Sequence, residues 1–75
     1  MKTRTLDVRA MMRRGEPPFA KIMAAVARVP EGGSLVLVTP FLPSPLIEKL
    51  QSEGFNVRPE RRSDGSWQTS FIRGH

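Results

Sequence analysis

The sequence predicts an α/β (α+β) fold: a two-layer β-α-β-α-β-β sandwich, with a four-stranded mixed sheet and two helices on one face. Three observations lead there. Apolar residues switch from a two-residue period to a helical one and back along the chain. Pro and Gly fall at the junctions, and a Ser-Asp-Gly turn joins two alternating segments near the end. From Thr3 to Arg9, Leu6 and Val8 lie on one side and Thr5, Asp7 and Arg9 on the other, the pattern of a half-buried first strand. Met11 to Gly15 reads as a basic connection. Gly15-Glu16-Pro17-Pro18 then reads as a helix opening near Pro17, because a first turn has no helical partner for the N–H that proline lacks.

Phe19, Ile22, Met23 and Val26 recur at helical spacing and predict an apolar stripe docked on the sheet, until Pro30 and Gly32-Gly33 end the helix. Leu35-Val36-Leu37-Val38 is a continuous apolar run, as in a central strand, and leaves an apolar stripe on the open face that points to a partner. Ser44 and Pro45 read as N-cap and first residue of a second helix, with Leu46, Ile47 and Leu50 as its apolar face and Gly54 as its stop. Phe55 and Val57, then Trp67, Thr69 and Phe71, alternate with polar residues across Ser63-Asp64-Gly65, which predicts a hairpin with Trp67 and Phe71 in the core. Pro59 assigns the third strand to an edge, or ends it in a bulge. A right-handed crossover makes the first two strands parallel.

Residues 1–75 make one domain, a size at which only about 60% of the unfolded surface is buried. Zero cysteines exclude disulfides, thiolate catalysis and thiolate metal sites. A reducing, cytoplasmic setting is expected, and no apolar run approaches signal-peptide or membrane-spanning length. The net charge of +5 comes mostly from arginine, which favours phosphate or carboxylate partners.

Leu6-Asp7-Val8-Arg9 followed by Glu16-Pro17-Pro18-Phe19 resembles the TusA/SirA-like superfamily, small bacterial sulfur-relay proteins with the same element order and a Cys-Pro-x-Pro motif at the first helix. The chain is more similar still to the uncharacterised branch called domain of unknown function twenty-two forty-nine, through Leu-Asp-Val-Arg, the Pro-Pro helix start and Gly65-Ser66-Trp67. Members of that branch commonly carry Asp-His-Asp-Pro-x-Pro-Leu after the second strand. Here the segment reads Pro40-Phe41-Leu42-Pro43-Ser44-Pro45-Leu46. The resemblance thus implies the scaffold of a sulfur carrier with Glu16 in place of the persulfide-forming cysteine. Phe41 replaces the histidine, so no metal, haem or proton-transfer role of that histidine carries over.

Glu16 is the leading single candidate, a carboxylate beside a helix N-terminus, where the backbone dipole favours negative charge; the plainer reading is a helix-end carboxylate. Ser63, Asp64 and His75 do not amount to a triad, since the first two are adjacent turn formers and the third is terminal. Met11-Met12 reads as apolar filling, and no phosphate loop is present. No catalytic, cofactor-binding or metal residue is assigned, no cofactor is expected, and the chain reads as a non-enzyme.

The expected function is a module acting by protein–protein contact, associated with a sulfur-relay or redox pathway but not itself a sulfur carrier. Its partner surface is Arg13, Arg14, Glu16, Pro17, Pro18, Phe41 and Leu42. The alternative is an RNA-binding module using Arg9, Arg58, Arg61 and Arg62, with salt-sensitive affinity. A third reading, a small-ligand or metal-binding domain, requires a polar pocket. The partner's identity and the oligomeric state are not set by these residues.

Overall fold

The computed structural model describes residues 2–74, so His75 lies outside the described residues. The elements are β1 (Thr3–Asp7), α1 (Arg9–Arg13), α2 (Phe19–Ala27), β2 (Ser34–Thr39), α3 (Ser44–Ser52), β3 (Phe55–Arg61) and β4 (Trp67–Arg73). The sheet order is β1-β2-β4-β3, with β1 parallel to β2 and the other pairs antiparallel. The predicted mixed four-stranded sheet is therefore present, with β2 inside it and β3 at an edge. Pro59 sits in that edge strand opposite Thr69, where a missing N–H is tolerated.

The core follows from the two periodicities. Ile22 and Val26 of α2 and Leu46 and Leu50 of α3 form a single buried cluster with Val8, Leu35, Leu37, Phe55 and Phe71, which places both long helices on one face. On the other face Val36 is half-buried between Thr5 and Ser70 and Val38 is buried between Asp7 and Gln68, so the stripe expected there is narrow and framed by polar residues. Arg73 ties the last strand to α2: its guanidinium donates to the Val29 and Val26 carbonyls at 2.6 and 3.1 Å and lies 4.6 Å from the centre of the Phe55 ring. The Val26 carbonyl, near the end of α2, also accepts the Val29 N–H, and the Val29 carbonyl lies just past the helix. Among the described residues, no helix is long and apolar enough to cross a membrane.

The structure corrects four local expectations. The segment read as a basic connection contains the helix α1. The Asp7 carboxylate accepts the Arg9 N–H at 3.0 Å where α1 begins. At its end Gly15 takes φ +79°, with Gly15 N–H bonded to the Met12 carbonyl and Glu16 N–H to the Met11 carbonyl. Those two bonds make a Schellman ending, which favours glycine at its left-handed position. Gly15-Glu16 thus closes α1, and only Pro17-Pro18 leads into α2.

Phe19, expected in the core stripe, is 56% exposed. Helical side chains lean toward the N-terminus, so the first residue of α2 projects off the helix end with no earlier turn to cover it. Ser44 is not an N-cap. Pro43 holds that position without a side-chain cap, and α3 starts at Ser44 itself. Trp67 is half-buried and outside the core cluster, because it occupies the end rung of the sheet opposite Thr39 and Arg61.

Candidate functional site

The chain passes from β1 into α1 through Asp7-Val8-Arg9, and these residues set the geometry at the carboxyl ends of β1 and β2. Val8 is buried in the core, which fixes the backbone and sends its two charged neighbours outward. Arg9 then grips two acids from distant parts of the sequence. Its Nε and Nη2 meet the Asp7 carboxylate at 3.0 and 2.8 Å, while Nη1 meets Asp64 Oδ2 at 2.9 Å. Asp64 in turn accepts the backbone N–H and the hydroxyl of buried Ser66. A bidentate guanidinium–carboxylate pair is the geometry arginine is built for.

The charges respond accordingly. Hydrogen bonds from the Ser66 hydroxyl and N–H, helped by Arg9 and Arg62, push Asp64 down to about 2. Hydrogen bonds from the Arg9 side chain and backbone hold Asp7 below the usual carboxylate range. Asp7 in its turn raises Arg9 above its ordinary value. This clamp joins the first turn of the fold to the β3–β4 turn.

Beside the clamp lies an open polar cleft of about 510 Å³, lined by Arg9, Met12, Arg13, Pro40 and Asp64-Gly65-Ser66. Met12 separates it from a second depression of a different kind. An apolar groove of about 300 Å³ runs between the N-terminal ends of α2 and α3, with Leu37, Ile22 and Leu46 beneath it and Phe19, Phe41 and the prolines Pro18, Pro43 and Pro45 around it. Phe41 is 51% exposed, and Leu42 beside it is also exposed. The Thr39 hydroxyl donates to the Phe41 carbonyl, which pins the loop that carries both.

The sequence profile of the family described as uncharacterized conserved protein (DUF2249) matches residues 5–73. The chain belongs to the DUF2249 family. No curated protein and no solved structure matches it. The DUF2249 match spans both ends of the clamp, Asp7-Arg9 and Asp64-Ser66, as well as both loops of the groove.

The residues assigned from sequence divide between the two depressions. Pro18 and Phe41 line the groove and Arg13 lines the polar cleft, whereas Leu42 is exposed next to Phe41 and lines neither. Arg14 and Glu16 pair with one another. Glu16 lies two residues before the N-cap position of α2, and no acidic residue occupies that helix's first turn. Pro17 is exposed.

Of the four arginines of the nucleic-acid reading, Arg9 and Arg62 both lie close enough to Asp64 to lower it, while Arg58 and Arg61 diverge on β3. Arg9 is bound to acids, and Arg62 donates to Gln68. Arg58 and Arg61 are an odd number of positions apart in β3, which turns them to opposite faces. Among the described residues, no group of three His, Cys, Asp or Glu side chains is placed to hold a metal ion. Sequence reasoning missed the Arg9–Asp64 link across the chain and Arg73, and no local spacing signals either one.

Proposed function

We propose that this DUF2249 domain is a non-enzymatic, cytoplasmic module of TusA-like descent. It works by protein–protein contact, receiving an apolar segment of a partner protein in the groove between α2 and α3. The observation that carries this reading is the exposure of Phe19 and Phe41 on either side of one apolar depression, with Leu42 beside them. Large apolar side chains around a groove are the usual anchors of a helix or loop docked into it. The pinned loop and the proline-framed helix starts lower the entropy cost of binding. Arg13, across Met12 from the groove, favours a segment with an acidic residue beside its apolar anchor.

The test begins with capture of partners on the wild-type chain and on Phe41→Ser, followed by titration of a captured protein into the isotope-labelled chain. Amide shifts concentrated at Phe19, Phe41 and Leu42, with affinity lost in Phe41→Ser, support the reading. Shifts confined to β3 and the β3–β4 turn overturn it. So does salt-sensitive RNA binding abolished by charge reversal at Arg61 and Arg62, which would instead establish the nucleic-acid alternative.

A further inference from the structure

The open edge of β1 combines two features that point to one kind of ligand. The first is backbone polarity. The Ser34 N–H donates to the Lys2 carbonyl, and the Val8 N–H donates to the Val38 carbonyl, so even-numbered residues of this segment turn their backbone groups toward β2. By strand alternation, Thr3, Thr5 and Asp7 turn their N–H and C=O groups away from the sheet, along an edge that no other strand among the described residues covers. All three residues are exposed. The opposite edge is guarded by Pro59, which interrupts the donor row, whereas β1 has no such guard.

The second feature is charge. Between β1 and α2 runs a shallow channel lined by Arg4, Lys21 and Arg28, with Ala24, Ala25, Leu6 and Leu35 as its apolar surface. It continues past Lys2, Arg4, Arg28 and Ser34. No acidic side chain lines either stretch, and among the described residues none of these four cations forms a salt bridge. The small side chains of Ala24 and Ala25 leave room for a chain laid beside the edge.

We infer that β1 is a strand-addition site for an acidic extended peptide, which would join the sheet as a fifth strand and direct alternate carboxylates to Arg4, Lys21 and Arg28. Backbone bonds to Thr3, Thr5 and Asp7 provide affinity without sequence preference, and the channel's cations select acidic side chains at every second position. A nucleic acid is the weaker fit, because a phosphate backbone has no strand-spaced donors for the outward carbonyls. The site is separate from the groove between α2 and α3 and does not depend on it.

The probe is a synthetic octapeptide alternating glutamate with valine, titrated into the full labelled chain at low and at physiological salt. Comparison ligands are the same peptide with lysine for glutamate, the same peptide N-methylated at alternate residues, and oligouridylate. The glutamate peptide is expected to shift the amides of Thr3, Thr5 and Asp7, and to slow their hydrogen exchange. It should bind about tenfold more weakly to Lys21→Glu with Arg28→Glu, two exposed positions where charge reversal spares the core. Thr5→Pro, which removes one outward N–H, should weaken it as well, while Phe41→Ser leaves it unchanged. Equal binding of the lysine or methylated peptide overturns the inference, as does indifference to the double charge reversal. Tighter binding of oligouridylate at the same residues replaces it with a nucleic-acid site.

Discussion

The polar cleft and the apolar groove share Met12 and lie at the same end of the sheet, yet only one of them has its chemistry answered inside the chain. In the cleft, Arg9 meets Asp7 and Asp64, and Asp64 meets Ser66. In the groove, Phe19 and Phe41 keep about half their surface in water. The motif residues Asp7 and Arg9 are thus occupied in holding the first turn of the fold to the last hairpin. Of the two depressions, the groove is the one that leaves large apolar side chains exposed.

Breaking the groove gives the largest expected effect. Phe19→Ser combined with Phe41→Ser should lower affinity for the groove's partner on the order of 100-fold, since buried aromatic anchors carry most of an interface's energy. Each substitution should lower unfolding stability by about 1–2 kcal/mol, because roughly half of each ring is buried in the free chain. Titration calorimetry and urea unfolding measure the two quantities separately. Unchanged affinity in the double variant would remove the groove from the interface.

A smaller effect, of opposite sign, separates folding from docking. The Thr69 hydroxyl is fully buried and has no hydrogen-bond partner among the described residues, on the strand position opposite Leu37, which lies under the groove. Thr69→Val keeps the β-branched shape and removes the unsatisfied group, so stability should rise by about 1 kcal/mol. Partner affinity should stay the same. A loss of stability would mean that the hydroxyl has a partner in solution.

Arg9→Met should act the other way: a lower urea midpoint and faster amide exchange in α1, with the groove's affinity within about a factor of two. The clamp is partly solvated, with the Arg9 side chain 28% exposed and its acids more so, and its loss should cost less than truncation of a core residue such as Phe71. Equal weakening of binding and stability by Arg9→Met would tie the two depressions into one site.

What the sequence made legible follows the range of the signal. Strand alternation in Phe55-Asn56-Val57 and in Trp67 to Phe71, with a turn former between them, is a local pattern, and the hairpin appears where it was expected. The stripe of Ile22 and Val26 likewise docks as its spacing predicts. Helix α1 escaped notice because five residues carry no readable period; its ends are set by the Asp7 carboxylate and the left-handed Gly15. The candidate site was legible only in pieces. The two loops from Arg13 to Phe19 and at Phe41-Leu42 were named together from sequence, but which of their side chains line one groove depends on how two helix starts converge in space. The Arg9–Asp64 bond spans 55 positions, and no spacing rule in a single sequence connects them.

The smallest expected effect is the acid limb of stability, and its sign follows from the clamp. Asp64 falls from an ordinary value of 3.8 to about 2 in the folded chain, held first by Ser66 and then by Arg9, and Asp7 is lowered in the same direction by Arg9. A carboxyl group lowered on folding contributes stability that is complete above its unfolded value and disappears as pH falls through the folded one. The clamp's share should therefore be intact above about pH 4 and lost progressively toward pH 2. Other carboxylates titrate in the same window, so the informative quantity is the difference between the wild-type chain and Asp64→Asn. That difference in urea midpoint should shrink as pH drops from 4 to 2. Partner affinity, measured where both chains remain folded, should be the same for the two, because neither carboxylate lines the apolar groove. A difference in midpoint that holds constant down to pH 2 would mean that Asp64 titrates normally in the folded chain and that the clamp does not hold it charged.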